Sequence, residues 1–181
     1  YSFQHAPYTW EMIENFKGGT AVFTNPTTPI KCGGAQHKIM YLACDYWRKK
    51  GILDKCDIHY ISGANAIFGV KEYAETLKKV IAKYNIHVHY GANLTAIHGE
   101  NKTVEFETQE IDENLNQKLS DKNAACYGII ENKTTDDLKK VILNFDLCHA
   151  VPPQSAPDFI KNSPLRDPEN LLGYVDINKN T

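Results

Sequence analysis

Through residue 90 the chain alternates between two hydrophobic periods. Short apolar runs with strand character lie at 20–24, 57–62 and 86–90. Between them, apolar residues recur every three or four positions, as on one face of a helix. Thr9 reads as the N-cap of a first helix through Trp10, Ile13 and Phe16, closed by Gly18 and Gly19. A second helix is expected over 33–50, with Ile39, Met40, Ala43, Tyr46 and Trp47 on one face and Gly51 ending it. A third is expected over 70–84, with Tyr73, Leu77, Val80, Ile81 and Tyr84 inward. Helices alternating with short apolar strands argue for a parallel sheet with crossover helices.

After residue 90 the pattern changes. Two alternating runs, 94–98 and 103–108, flank a polar turn at 99–102 and predict a β-hairpin. Residues 109–137 are polar, poor in large apolar groups, and read as a long, flexible insertion. Residues 142–151 read as one strand returning to the core, stopped by Pro152-Pro153, and 158–161 as a short helical turn. The fold class is therefore α/β: a Rossmann-like domain with a parallel sheet, an inserted β-hairpin and a final strand. The Gly-rich phosphate signature G-x-G-x-x-G is absent after the first strand. This predicts a relative of nucleotide-binding domains that does not itself hold a dinucleotide.

Composition removes several classes. The 181 residues carry a net charge of −2 with scattered lysines, which gives no electrostatic case for nucleic acid. No apolar run approaches the ~20 residues that span a membrane, and the first residues lack the basic start and apolar core of a signal peptide. The first residue is not Met, and the chain is read as a piece of something longer. Five cysteines, Cys32, Cys44, Cys56, Cys126 and Cys148, are odd in number and lack a CxxC pair, which supports neither a zinc site nor a disulfide framework. Sequons at Asn93, Asn101 and Asn132 are expected by chance in so Asn-rich a chain.

One cysteine stands apart. The strand at 20–24 runs into a Pro-rich loop that delivers Lys31 and Cys32 to Gly33-Gly34, and a helix follows. A thiol beside a lysine at a helix N-terminus is where a thiolate is favoured, because free N–H groups and the ammonium both stabilise negative charge. The alternative is an inert buried thiol.

Pro29-Ile30-Lys31-Cys32-Gly33-Gly34-Ala35, followed by Lys38-Ile39-Met40-Tyr41-Leu42, resembles the sulfide:quinone oxidoreductases, most closely the mitochondrial type of animals. The resemblance continues through Ala66-Ile67-Phe68-Gly69-Val70-Lys71-Glu72-Tyr73-Ala74. It resumes at His149-Ala150-Val151-Pro152-Pro153 and extends to Gly173-Tyr174-Val175-Asp176. It implies a two-dinucleotide-binding-domain flavoprotein of the mitochondrial inner membrane. Such an enzyme binds FAD, oxidises sulfide at a redox cysteine pair, passes electrons to ubiquinone, and hands sulfane sulfur to an acceptor such as glutathione or sulfite. It makes Cys32 the persulfide-bearing cysteine and the whole of 1–181 a central, second nucleotide-binding-like domain. The second cysteine, most of the FAD site and the membrane contacts would then lie outside the chain, which alone is expected to be inactive. One departure is Gln36, where the family usually has Pro.

The remaining candidates keep two readings each. Lys31 either tunes Cys32 or the flavin, or is a solvated loop charge. Pro152 and Pro153 either shape the flavin or quinone pocket or only end a strand. His149 is read as structural over acid/base. Cys44, Cys56 and Cys148 sit at apolar positions and read as packing, as do Tyr46, Trp47, Tyr73 and Tyr84. His87 and His89 share a strand face, but His59 is on another strand and no carboxylate spacing completes a metal site, so no metal is expected. Rival functions are an NADH-using flavoprotein, which would need the missing Gly-rich fingerprint, and a non-catalytic binding or scaffold module.

Overall fold

The computed structural model describes residues 3–109, 127–130 and 138–177, the second group as backbone alone. Four parallel strands form the first sheet in the order β3-β2-β1-β8: β1 (Gly19–Asn25), β2 (Cys56–Ser62), β3 (Ile86–His89) and β8 (Leu147–His149). Helices α1 (Ala6–Asn15), α2 (Ala35–Lys49) and α3 (Lys71–Tyr84) contribute to the core on one face of this sheet. A second sheet, antiparallel and ordered β4-β5-β7-β6, supplies the other layer. Its strands are β4 (Asn93–His98), β5 (Thr103–Thr108), β6 (Tyr127–Ile130) and β7 (Lys139–Asn144). A last helical turn, α4, covers Asp158–Lys161.

Strand alternation decides which core each residue enters. Ala21, Phe23, Ile58 and Tyr60 point to the helices, where Met40, Ala43 and Trp47 of α2 meet Ile13 and Tyr84. Val22 and Ile61 point the other way and pack with Val104, Phe106, Val141 and Leu143 of the second sheet. Each such side chain, fully buried, contributes about 1.5–3 kcal/mol. The parallel strands are apolar on both faces for this reason.

Several boundaries differ from the sequence expectation. The first helix starts earlier, at Ala6, with His5 at the N-cap position and Pro7 in its first turn, and Thr9 lies inside it. Proline fixes the backbone for a helix start where its missing N–H costs nothing. Tyr73 is 63% exposed, its ring 6.2 Å from Phe68, and the buried stripe of α3 runs instead through Ala74, Leu77, Ile81 and Tyr84.

The expected strand over 142–151 is two strands in two sheets. The N–H of Phe145 donates to Lys102 in the second sheet (2.8 Å), while the N–H of Asp146 donates to Thr20 in the first (2.8 Å). Asp146 Oδ2 also accepts from the N–H of Thr20 at 2.9 Å. Gly19, at φ 103°, leaves the space that this carboxylate fills. An apolar run thus crosses between layers because one carboxylate serves as the hinge partner of β1.

The strand β6 lies inside the stretch expected to be a featureless insertion, paired along β7 from Tyr127↔Leu143 to Ile130↔Lys140. Residues 110–126 and 131–137 of that stretch, with Cys126 and the Asn132 sequon, lie outside the described residues.

Candidate functional site

Parallel strands deliver their loops to one edge of the sheet. Here the loops after β1, β2 and β8 meet there, joined by short polar contacts. The N–H of Gly63 donates to Asn25 at 2.9 Å, and Asn25 Nδ2 donates to Ser62 Oγ at 3.1 Å. A Cβ on Gly63 would come within 2.7 Å of Thr27, so these loops approach more closely than a side chain permits. Thr24 Oγ1 accepts from the N–H of Val151, and Thr28 Oγ1 from that of Gln154, each at 2.8 Å. These two bonds fix Pro152-Pro153 beside the loop that carries Lys31 and Cys32.

Cys32 is exposed on the rim of this edge, two residues before Gly34, the N-cap of α2. The N–H of Ala35 donates to its carbonyl at 3.1 Å, closing a turn, and Lys38 N–H to Gly34 (3.1 Å) begins the helix. Lys31 is likewise exposed. The other described cysteines differ. Burial pushes the Cys44 thiol up to about 12, and those of Cys56 and Cys148 up to about 11. They are packing thiols, as expected, whereas Cys32 meets solvent.

Two depressions flank the rim. A crevice of about 450 Å³ lies between the β1 and β2 loops, with Ile30, Gly33, Gln36, Gly63 and Phe68 among its walls. A larger groove of about 1170 Å³, mostly apolar, runs from α1 (Met12, Ile13) past β4 (Leu94, Ile97) to Cys148, His149, Pro152 and Pro153. The sequence-predicted residues therefore share one edge but divide: the prolines line the groove, and the Lys31–Cys32 rim borders the crevice. His149 lines the groove, its ring 6.1 Å from Phe23. Its Nδ1 is buried without a hydrogen-bond partner among the described residues, and burial lowers its pKa.

His37 was missed by the sequence reading. It is 4% exposed beneath the Cys32 turn, its ring 5.4 Å from Tyr60, 6.1 Å from Tyr41 and 6.4 Å from Phe68. Its spacing to Met40 and Trp47, both inward on α2, carried the signal. Burial pushes its pKa down to about 4. The folded state thus binds this proton less readily than the unfolded chain, whose imidazole titrates near 6.5. Stability is expected to be unaffected above pH 6.5, to fall as pH drops from 6.5 toward 4, and to level off below. The total, discounted for partial solvation of the ring, is on the order of 2 kcal/mol. Urea denaturation at pH 7.5 and 4.5 should show this loss for the parent and a smaller one for His37→Gln; equal losses would contradict it.

His59, His87 and His89, read from the sequence as lying on two strands, come together between the two sheets. His59 and His87 are register partners, and His59 Nδ1 lies 3.0 Å from His89 Nε2. A carboxylate that the sequence reading discounted joins them: Asp57 stands 3.2 Å from His59 Nε2 and 3.3 Å from His87 Nε2. Among the described residues, even so, no group of three or more potential ligands is arranged to hold a metal ion. Nor is any described helix long and apolar enough to cross a membrane.

The parallel order β3-β2-β1-β8, helices on one face and an inserted antiparallel sheet on the other define a Rossmann-like α/β domain. No family model matches the chain. All of it aligns with proteins named "Sulfide:quinone oxidoreductase, mitochondrial": 34% identical to that of Mus musculus, 36% to that of Dictyostelium discoideum and 30% to that of Schizosaccharomyces pombe. The chain is thus similar over its whole length to sulfide:quinone oxidoreductases, and it spans 34% of the length of each of these relatives. The fold matches the sulfide:quinone oxidoreductase of Aquifex aeolicus (TM-score 0.59, 15% identity), covering 93% of this chain and 33% of that one. A chain of the Tetrahymena thermophila mitochondrial ATP synthase assembly is also similar in fold (TM-score 0.55, 15% identity), with 93% and 34% covered.

Proposed function

We propose that this chain is the cysteine-bearing segment of a mitochondrial sulfide:quinone oxidoreductase, a second nucleotide-binding-like domain in which Cys32 carries sulfur. The observation that supports it most is an exposed thiol at the loop-bearing edge of a parallel sheet, on a loop whose flanking residues Ile30 and Gly33 line a crevice, in a chain homologous throughout to that family. Sulfide attacks the disulfide that joins Cys32 to a second cysteine. A new S–S bond forms on Cys32, the old one breaks, and the second cysteine leaves as the thiolate with the electron pair. The proton of the attacking HS⁻ goes to solvent. The Cys32 persulfide then yields its outer sulfur to a nucleophile of the glutathione or sulfite kind.

The groove's apolar walls and the Nδ1 of His149, which has no hydrogen-bond partner among the described residues, fit one edge of a planar heteroaromatic group such as FAD. Pro152, Pro153 and His149 would hold that edge, with Lys31 lending positive charge at the rim. FAD, when bound, supplies two-electron acceptance, and ubiquinone at the mitochondrial inner membrane is the final acceptor.

The test is mass spectrometry of the intact polypeptide after brief exposure to sulfide. Cys32 should carry one extra sulfur that cyanide removes. Extra sulfur confined to other cysteines, or none at all, would sink the proposal.

A further inference from the structure

Gln36 stands where the family resemblance expects proline, and its side chain does something that proline cannot. It is 5% exposed, and Nε2 donates to the carbonyl of Gly33, the residue after Cys32, at 2.8 Å. Its Oε1 is buried as well, without a hydrogen-bond partner among the described residues, and the side chain lies within reach of the Tyr60 phenol. Burial raises the pKa of that phenol, and Gln36 and Ser62 oppose the rise.

From this geometry we infer that Gln36 is a positioning residue for Cys32: it ties the Cys32–Gly34 turn to the domain body. The inference rests on the sulfur-carrying role proposed for Cys32. The turn is closed by one backbone bond, Ala35 N–H to Cys32 C=O, and joined to the helix by another, Lys38 N–H to Gly34 C=O. It precedes a helix whose first N–H groups have no helical acceptor. A turn so lightly tied at an exposed rim is mobile unless something fixes it from below. A proline at this second helical position restrains the backbone covalently and removes an N–H that has no helical partner. A buried amide restrains the same turn by a hydrogen bond instead. Glutamine and proline are thus two solutions to one task, which is to keep a reactive thiol at a fixed place at the start of α2.

Gln36→Met keeps the volume and removes the donor; Gln36→Pro replaces the restraint. Hydrogen exchange at the Ala35 amide reports the turn. Alkylation by iodoacetamide, read cysteine by cysteine, reports the thiol, with fully buried Cys44 as internal control. In Gln36→Met, Ala35 exchange should rise about tenfold, the scale of one lost hydrogen bond. Cys32 alkylation should change several-fold while Cys44 stays unmodified, and Gln36→Pro should return both toward the parent. Unchanged Ala35 exchange, or parallel change at Cys32 and Cys44, overturns the inference, because a merely structural role loosens the whole domain. If Gln36→Met does not fold, the parent decides alone: side-chain amide protons of Gln36 that exchange as fast as those of an exposed glutamine overturn it, and slow exchange supports it. In the intact enzyme, Gln36→Met should lower kcat several-fold with KM for sulfide unchanged. Failure of the sulfur-carrying role shows separately, as activity retained on replacing Cys32.

Discussion

Replacing Cys32 by serine in the intact enzyme is expected to lower sulfide-dependent quinone reduction by about a thousandfold or more, the scale of losing a covalent nucleophile. Serine keeps the size of the side chain but cannot hold a sulfane sulfur. The expected effect on folding is small, within about 0.5 kcal/mol, because Cys32 is exposed and the turn bond it accepts is made by its backbone carbonyl. That combination separates chemistry from packing. The measurement is the steady-state rate of quinone reduction with sulfide, beside a thermal melt of each protein. A variant that keeps more than a tenth of the rate would mean that sulfur is carried elsewhere. A variant that loses rate and stability together would point to a structural thiol.

The largest effect on stability is expected at Trp47. Its indole is fully buried between α1 and the parallel sheet, with ring centroids 4.7 Å from Phe16 and 6.4 Å from Phe23. Nε1 donates to the carbonyl of Ile13 at 2.9 Å, which ties α1 to α2. Trp47→Ala removes the ring, opens a cavity and leaves that carbonyl unpaired, for a loss of about 3–5 kcal/mol. That is a large part of the ~5–15 kcal/mol that stabilises a typical domain. Trp47→Phe should lose less, since it keeps most of the apolar contact and sacrifices the hydrogen bond. Urea denaturation checks both. A loss under about 1 kcal/mol for Trp47→Ala would show that the α1–α2 seam is not a main support of the core.

Part of the architecture was legible because it is local. The strands β1, β2 and β3 and the helices between them announce themselves by hydrophobic period, and their alternation implies parallel pairing. The hairpin of β4 and β5 was legible for the same reason, from two alternating runs around a polar turn. The Cys32 motif was legible because a short block of residue types around a thiol is a chemical statement in itself. Its place just ahead of the helix was legible too, from the two glycines that follow it; that the helix begins at Ala35, with Gly34 as its N-cap, was visible only in the backbone.

What stayed hidden depends on partners distant in sequence. The break between β7 and β8 is set by Asp146 meeting Thr20, residues that the apolar run around 146 does not mention. The strand β6 exists through its pairing with β7, which a polar, low-signal stretch cannot advertise. Asp57 joins His59 and His87 because parallel register lines up β2 and β3, so that three spacings become one cluster. The burial of His37 depends on Tyr41, Tyr60 and Phe68, two of which lie on other elements of the chain.

The sequence by itself determined the α/β class, the order of its principal elements, the candidate thiol and the family resemblance. Each of these resides in local periodicity or in a contiguous block of side-chain chemistry. Only the tertiary structure decided that one apolar run serves two sheets, that Pro152-Pro153 line the groove while the loop around Cys32 borders the crevice, and that the Gln36 amide reaches back to the Gly33 carbonyl. Those outcomes follow from which backbone groups and buried polar atoms find partners across the fold, and that is settled by packing in three dimensions.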